Sequence, residues 1–165
     1  MKTKHEDNAA IFAAGCFWGV QAVFDQIDGI TKTVVGYTGG HTENPTYHPV
    51  CTGTTGHAEA IYILFNTETL SYQQLIDTFF ANHNPTTRNQ QGPDKGSQYR
   101  SAIFYINPEQ QNTAEQSIIR LTRNKVFDKP IVTTLEIAGT FYPAEDYHQQ
   151  YYKKHNVQCQ ISKPK

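Results

Sequence analysis

Residues 9–37 read AAIFAAGCFWGVQAVFDQIDGITKTVVGY, and this stretch decides the fold. Ala9 to Ala14 is a short apolar run of strand length. From Cys16 onward the pattern changes, with Phe17, Val20, Phe24 and Ile27 falling on one face at three- and four-residue steps, the period of a helix. Asp28-Gly29 supplies a helix stop, and Ile30 to Tyr37 reads as a second strand. The unit is strand, helix, strand.

Outward from it, Ala60 to Phe65 is an apolar strand, and Ser71 caps a helix whose apolar face is Tyr72, Leu75, Ile76, Phe79 and Phe80. Asn84-Pro85 ends that helix, and Tyr99 to Ile106 gives the next strand. Asn107-Pro108 then reads as an N-cap followed by proline in the first turn of a helix running to about Asn124. Ile131 to Ala138 is a further strand, and Pro143 to about His155 a last, tyrosine-rich helix. The order βαβ, βαβ, α, β, α predicts an α+β fold: a two-layer sandwich with a mixed sheet, built on a ferredoxin-like split βαβ core with extra helices and long loops.

With 165 residues the chain suffices for one domain with a core, so residues 1–165 are expected to be a single catalytic domain, with about 156–165 as a mobile tail. A formal net charge of −1 and 18% charged residues supply no basic patch for nucleic acid or a membrane surface. Glu6 and Asp7 precede an apolar run too short for a signal core, and no segment approaches a membrane span, so a soluble cytoplasmic protein is expected. The three cysteines, Cys16, Cys51 and Cys159, are too few and too odd in number for a disulfide framework. Free, reactive thiols are expected instead.

Cys16 stands between a strand and a helix, flanked by Gly15 and, three residues on, Gly19. Free cysteine is ordinarily a buried and inert core residue. At a helix start, however, unpaired N–H groups and the helix dipole stabilise a thiolate, and such cysteines have pKa values lowered to roughly 3.5 to 7.5. The residues 39–59, GGHTENPTYHPVCTGTTGHAE, show neither helical nor strand period and are too long for a mere connection. His57 beside Cys51 fits no strong zinc spacing, and no metal site is expected.

Five ordered blocks, FAAGCFWG, GYTGG, NPTYHPVCTGTTGHAEA, HNPTTRNQQGPDKGSQYRSAIFY and FYPAEDYHQQYY, resemble the class A peptide methionine sulfoxide reductases from Phe12 to about Tyr152. The resemblance implies reduction of methionine S-sulfoxide, free or in proteins, with Cys16 as nucleophile and a role in repair of oxidised proteins. It implies Glu59 as the acid that protonates the sulfoxide oxygen, Tyr47 and Tyr99 as hydroxyl donors, Asp94 in the surrounding hydrogen-bonded network, and Phe17 and Trp18 as the pocket for the S-methyl group. A carboxylic acid serves as a proton donor near neutral pH only where burial or neighbours raise its pKa. The sulfenic acid left on Cys16 condenses with a second thiol, Cys159 or Cys51. The disulfide is then returned to thiols by an external dithiol, for which the resemblance implies thioredoxin; no metal or organic cofactor is implied. A monomer is expected. The competing readings are a cysteine hydrolase with a histidine base, which leaves the acid and the two tyrosines without a purpose, and a redox sensor that oxidises without turnover.

Overall fold

A computed structural model describes residues 5–156. Cys159 and most of the expected tail lie outside the described residues. The opening unit forms as expected: β1 (Ala9–Ala14), α1 (Phe17–Phe24) and β2 (Ile30–Thr38). The helix stops short of Ile27, whose side chain still packs on the core. Asp25, at its end, accepts a hydrogen bond from Thr33 Oγ1 at 2.6 Å and so draws the turn toward β2.

The long irregular segment contains a short helix, α2 (Tyr47–Cys51), and gives way to β3 (Ala58–Phe65) two residues earlier than the apolar run predicts. Helix α3 (Tyr72–Ala81) is opened by a full capping box between Ser71 and Gln74. The second polar loop folds into a two-stranded hairpin, β4 (Gln90–Gln91) and β5 (Asp94–Lys95), followed by a 3₁₀ turn at Ser97–Tyr99 and strand β6 (Ser101–Tyr105). Asn107 caps α4 (Pro108–Arg123) through Gln110 N–H, with proline in the first turn. β7 is confined to Thr134–Ile137.

The expected final helix from Pro143 to His155 does not form as one element. Tyr142–Pro143 is instead a short strand, β8, Asp146–His148 is a 3₁₀ turn, and only Tyr151–Lys154 is helical, α5. The cause is tertiary. Gln149 exchanges hydrogen bonds with both backbone groups of Val35, Glu145 is bound to Tyr37 and Tyr47, and Gln150 is left-handed at φ 57°. These partners outweigh the local helical preference of the segment.

The main sheet has the order β7-β6-β1-β3-β2-β8. β1 is antiparallel to both β3 and β6, β2 is antiparallel to β3, and β6 pairs in parallel with β7. The inner order β6-β1-β3-β2 is that of the split βαβ core, extended by one strand on each edge. Side chains alternate across it. Ala10, Phe12, Val35, Tyr37, Ile61, Ile63 and Ile103 face α1, α3 and α4 in the main core, while Ile11, Ala13, Ala58, Ala60, Ala102 and Phe104 form a smaller cluster on the other face. Glu59 lies on the helix-facing row of β3, two residues before Ile61 and opposite Tyr37 of β2.

Candidate active site

Five segments converge at the start of α1: Cys16 and its following turn, α2, the head of β3, the β4–β5 hairpin with its 3₁₀ turn, and the segment 145–151. Gly15 has φ +90°, which lets the chain turn from β1 into the helix, and a Cβ there would lie 2.6 Å from the Gln91 side chain. The absent side chain is therefore what brings the hairpin carrying Asp94 close to Cys16. Gln91 is itself tied to both backbone groups of Asn84, which fixes the hairpin's base.

Glu59 is 2% exposed. Its Oε1 accepts the backbone N–H of Phe17 at 3.1 Å, so the acid is bound to the first turn of the helix that Cys16 caps. Burial pushes its pKa up to about 8, and the Asp94 charge adds to this against the lowering effect of the Phe17 N–H. A buried acid with a raised pKa therefore stands at this position.

Cys16 differs from expectation. It is the N-cap of α1, and the N–H groups of Trp18 and Gly19 do act to lower its pKa. Burial outweighs them, Glu59 and Asp94 add to it, and the thiol is pushed up to about 12. The expected thiolate of depressed pKa is thus corrected: at neutral pH the resting pair is a thiol beside a carboxylic acid.

Tyr47 opens α2, and its hydroxyl is hydrogen-bonded to the Cys51 thiol one turn on. Gln98 Nε2 donates to the Cys51 carbonyl at 3.1 Å, joining the end of α2 to the turn that carries Tyr99. The Tyr99 hydroxyl is raised by burial and then by the charges of Glu59, Cys51, Asp94 and Cys16. All of the expected polar residues within the described part, Cys16, Glu59, Tyr47, Tyr99, Asp94 and Cys51, are therefore one electrostatic cluster. Arg100 fastens the same turn, donating to Ser97 O and Gly56 O and pairing with both carboxylate oxygens of Glu136.

The two aromatic residues part company. Phe17 is 1% exposed and packs against Tyr37 and His148, so it is its backbone N–H that reaches the polar cluster. Trp18 is half-buried at the surface, stacked on Tyr151 with ring centroids 3.8 Å apart.

Three residues without an assigned role also build the site. His57, 2% exposed, accepts Gly40 N–H on Nδ1 and donates from Nε2 to Thr42 O, which pins the start of the loop leading to α2. Glu145 accepts from Tyr37 OH at 2.9 Å and from the Tyr47 backbone N–H at 3.1 Å. His148 accepts from Trp18 Nε1 at 2.9 Å. Glu145 and His148 lie in the FYPAEDYHQQYY block, where a helical reading points their side chains nowhere in particular. Among the described residues, no group of three or more His, Cys, Asp and Glu is placed to hold a metal ion, and no helix is long and apolar enough to cross a membrane.

Comparison with known proteins bears on this cluster. The family model for peptide methionine sulfoxide reductase matches residues 8–165. Peptide methionine sulfoxide reductase MsrA of Methanothermobacter thermautotrophicus is 54% identical over 145 residues, 88% of this chain and 86% of that protein. The crystal structure of Mxr1 from Saccharomyces cerevisiae in reduced form superposes with a TM-score of 0.87 at 30% identity, covering 100% of this chain and 96% of the yeast chain. The same yeast protein in complex with Trx2 aligns at 23% identity and a TM-score of 0.63, over 90% of this chain and 89% of that one. The chain belongs to the peptide methionine sulfoxide reductase family, class A, and is an oxidoreductase.

Proposed function

We propose that the chain reduces the S epimer of methionine sulfoxide, free or within proteins, by direct attack of Cys16 sulfur on the sulfoxide sulfur. The observation that carries this reading is Glu59: a carboxylic acid with its pKa at about 8, hydrogen-bonded to the turn that begins at Cys16. Such a group holds a proton at neutral pH and can deliver it. The sulfoxide oxygen is received by Glu59 with the hydroxyls of Tyr47 and Tyr99, while Trp18, backed by buried Phe17, walls off the methyl group. Protonating the oxygen makes the sulfur electrophilic. Cys16 attacks the sulfur as its own proton leaves, forming a sulfur–sulfur bond; the hydroxyl then passes to the Cys16 sulfur as that bond and the S–O bond break, releasing the thioether.

The step balances without solvent protons. Glu59 gives its proton to the oxygen and takes the thiol proton in exchange, so thiol plus sulfoxide becomes sulfenic acid plus thioether. Burial keeps the pKa of the acid high, and the Asp94 charge adds to it. The sulfenic acid then condenses with Cys159 or Cys51, releasing water, and a dithiol reduces the disulfide. Tyr47, bonded to the Cys51 thiol, keeps that cysteine within the polar cluster. For the dithiol we propose thioredoxin, supported by the yeast relative's complex with Trx2. The chain acts as a cytoplasmic monomer with no resident cofactor, a single domain serving the repair of oxidised proteins.

Steady-state assay of both sulfoxide epimers of a methionine peptide, with thioredoxin and its reductase recycling, tests the reading. Turnover of the S epimer alone, abolished in Cys16→Ser, is expected. Equal turnover of both epimers contradicts the proposed asymmetry of the pocket. Mass spectrometry of the oxidised protein distinguishes Cys16–Cys159 from Cys16–Cys51, and light scattering reports the assembly.

A further inference from the structure

We infer that His148 is a positioning residue for the substrate pocket: its Nδ1 accepts the Trp18 indole N–H and thereby fixes where the indole lies beside Cys16. The inference rests on the reading above in one respect, that Trp18 walls the methyl pocket.

The geometry is specific. Tyr151 covers one face of the indole, with centroids 3.8 Å apart and planes within 8°. A stacked contact sets the tilt of a ring but lets it slide and turn within its plane. The missing constraint is an edge contact, and His148 supplies it, 2.9 Å from Nε1. Indole Nε1 is a donor only, so His148 must present a bare Nδ1 and carry its proton on Nε2.

The imidazole is itself immobile. It is 0% exposed and is enclosed by Phe17 and Trp18 of α1, Tyr47 of α2, and Tyr147 on its own turn. Its Nε2 is buried with no hydrogen-bond partner, a cost the protein carries without return from that nitrogen. The Nδ1 bond to Trp18 is what the ring is used for. The same short segment grips Tyr47 through Glu145 and β2 through Gln149, so the edge support for Trp18 is part of a rigid strap across the site.

The chain has one tryptophan, so its fluorescence reports the surroundings of Trp18 without interference from another indole. The test compares wild type, His148→Asn and His148→Phe, all reduced, in emission wavelength, acrylamide quenching and single-turnover kinetics with the S-sulfoxide peptide. Asn can place Oδ1 near the position of Nδ1, whereas Phe keeps the ring packing and removes the acceptor. We expect His148→Phe to shift Trp18 emission, increase its quenching and raise the apparent substrate KM about fivefold to tenfold, the value of one ordinary hydrogen bond. The maximal rate of methionine formation should change by less than that, and His148→Asn should restore most of both readouts.

Unchanged emission and KM in His148→Phe overturns the proposal. So does His148→Asn behaving like His148→Phe while circular dichroism shows both folded, since loss of packing alone would then explain the effect. If the wild type fails to reduce the sulfoxide, the reading of the activity fails. The fluorescence arm still decides whether His148 holds Trp18.

Discussion

Removing the proton of Glu59, by substitution or by pH, is the perturbation with the largest calculable effect. With its pKa near 8, Glu59 is about nine-tenths protonated at pH 7, a ratio of ten to one. At its ordinary value of 4.5 it would be protonated in only about 0.3% of molecules, so burial multiplies the working acid roughly 300-fold. Glutamine preserves the shape and can still donate a hydrogen bond, but it cannot transfer a proton. Glu59→Gln should therefore slow methionine formation by about 10²- to 10⁴-fold, the range for loss of a general acid. The wild-type pH profile is a sharper test, because the transition state described above contains both protons of the resting Cys16–Glu59 pair. Single-turnover rate should be level below about pH 8 and then fall about tenfold per unit, as Glu59 ionises and its charge opposes a developing thiolate. Rapid-quench measurement of methionine formed by reduced enzyme gives the profile directly. A rate that climbs with pH up to about 8 would refute the reasoning, because it would mean that the attacking complex has first lost a proton to solvent.

The same substitution should affect stability in the opposite sense. A folded pKa raised from 4.5 to about 8 makes the native state lose stability as pH rises through that window, so Glu59→Gln should exceed wild type in urea midpoint at pH 9 and match it more closely at pH 5. His83 predicts an acid limb. Its pKa is lowered to about 4 by burial, although its bond to the Phe79 carbonyl opposes this; the unfolded chain therefore binds a proton first as pH falls below 6.5. This group alone removes about 3 kcal/mol between pH 6.5 and 4, against the gain from Glu59 in the same window, and is read in urea titrations as the difference between wild type and a variant in which His83 is replaced by a group that does not titrate. Gly40→Ala should cost at least about 2 kcal/mol and most of the activity, because the new Cβ meets the backbone of residues 55–57 where His57 pins the loop. Thermal unfolding with a parallel turnover assay checks it, and a variant with wild-type values in both would remove the loop from the account.

Much of the core was legible because its periods are strong. Phe17, Val20 and Phe24 repeat as a helix face, and the apolar run from Ala60 to Phe65 marks a strand that in the fold begins at Ala58. The motifs pointed to Cys16, Glu59, Tyr47, Tyr99 and Asp94 as one group, and the fold brings them within electrostatic reach of one another. The protonation state of Cys16 was not. A helix start argues for a thiolate, and only the depth of burial and the nearness of Glu59 reverse that sign. The segment after Pro143 misled for a related reason: its glutamines, acid and histidine are spent on distant partners such as Val35, Tyr47 and Trp18, and no local pattern records that. Phe17 illustrates the same limit, since its position beside Cys16 suggested a pocket wall whereas packing against Tyr37 turns its ring inward.

The claim on which the account stands is oxygen transfer from sulfoxide to Cys16, and it is tested most directly by counting product in the absence of any reductant. Fully reduced protein mixed with a pure S-sulfoxide peptide should form between about one and two methionines per chain in a burst and then stop: after the first disulfide the third cysteine can free Cys16 by exchange for one more sulfenic acid, and no thiol then remains. Cys51→Ser and Cys159→Ser should each keep the burst, and Cys16→Ser should show none. A wild-type protein that forms no methionine, or a Cys16→Ser protein that still does, would contradict the account.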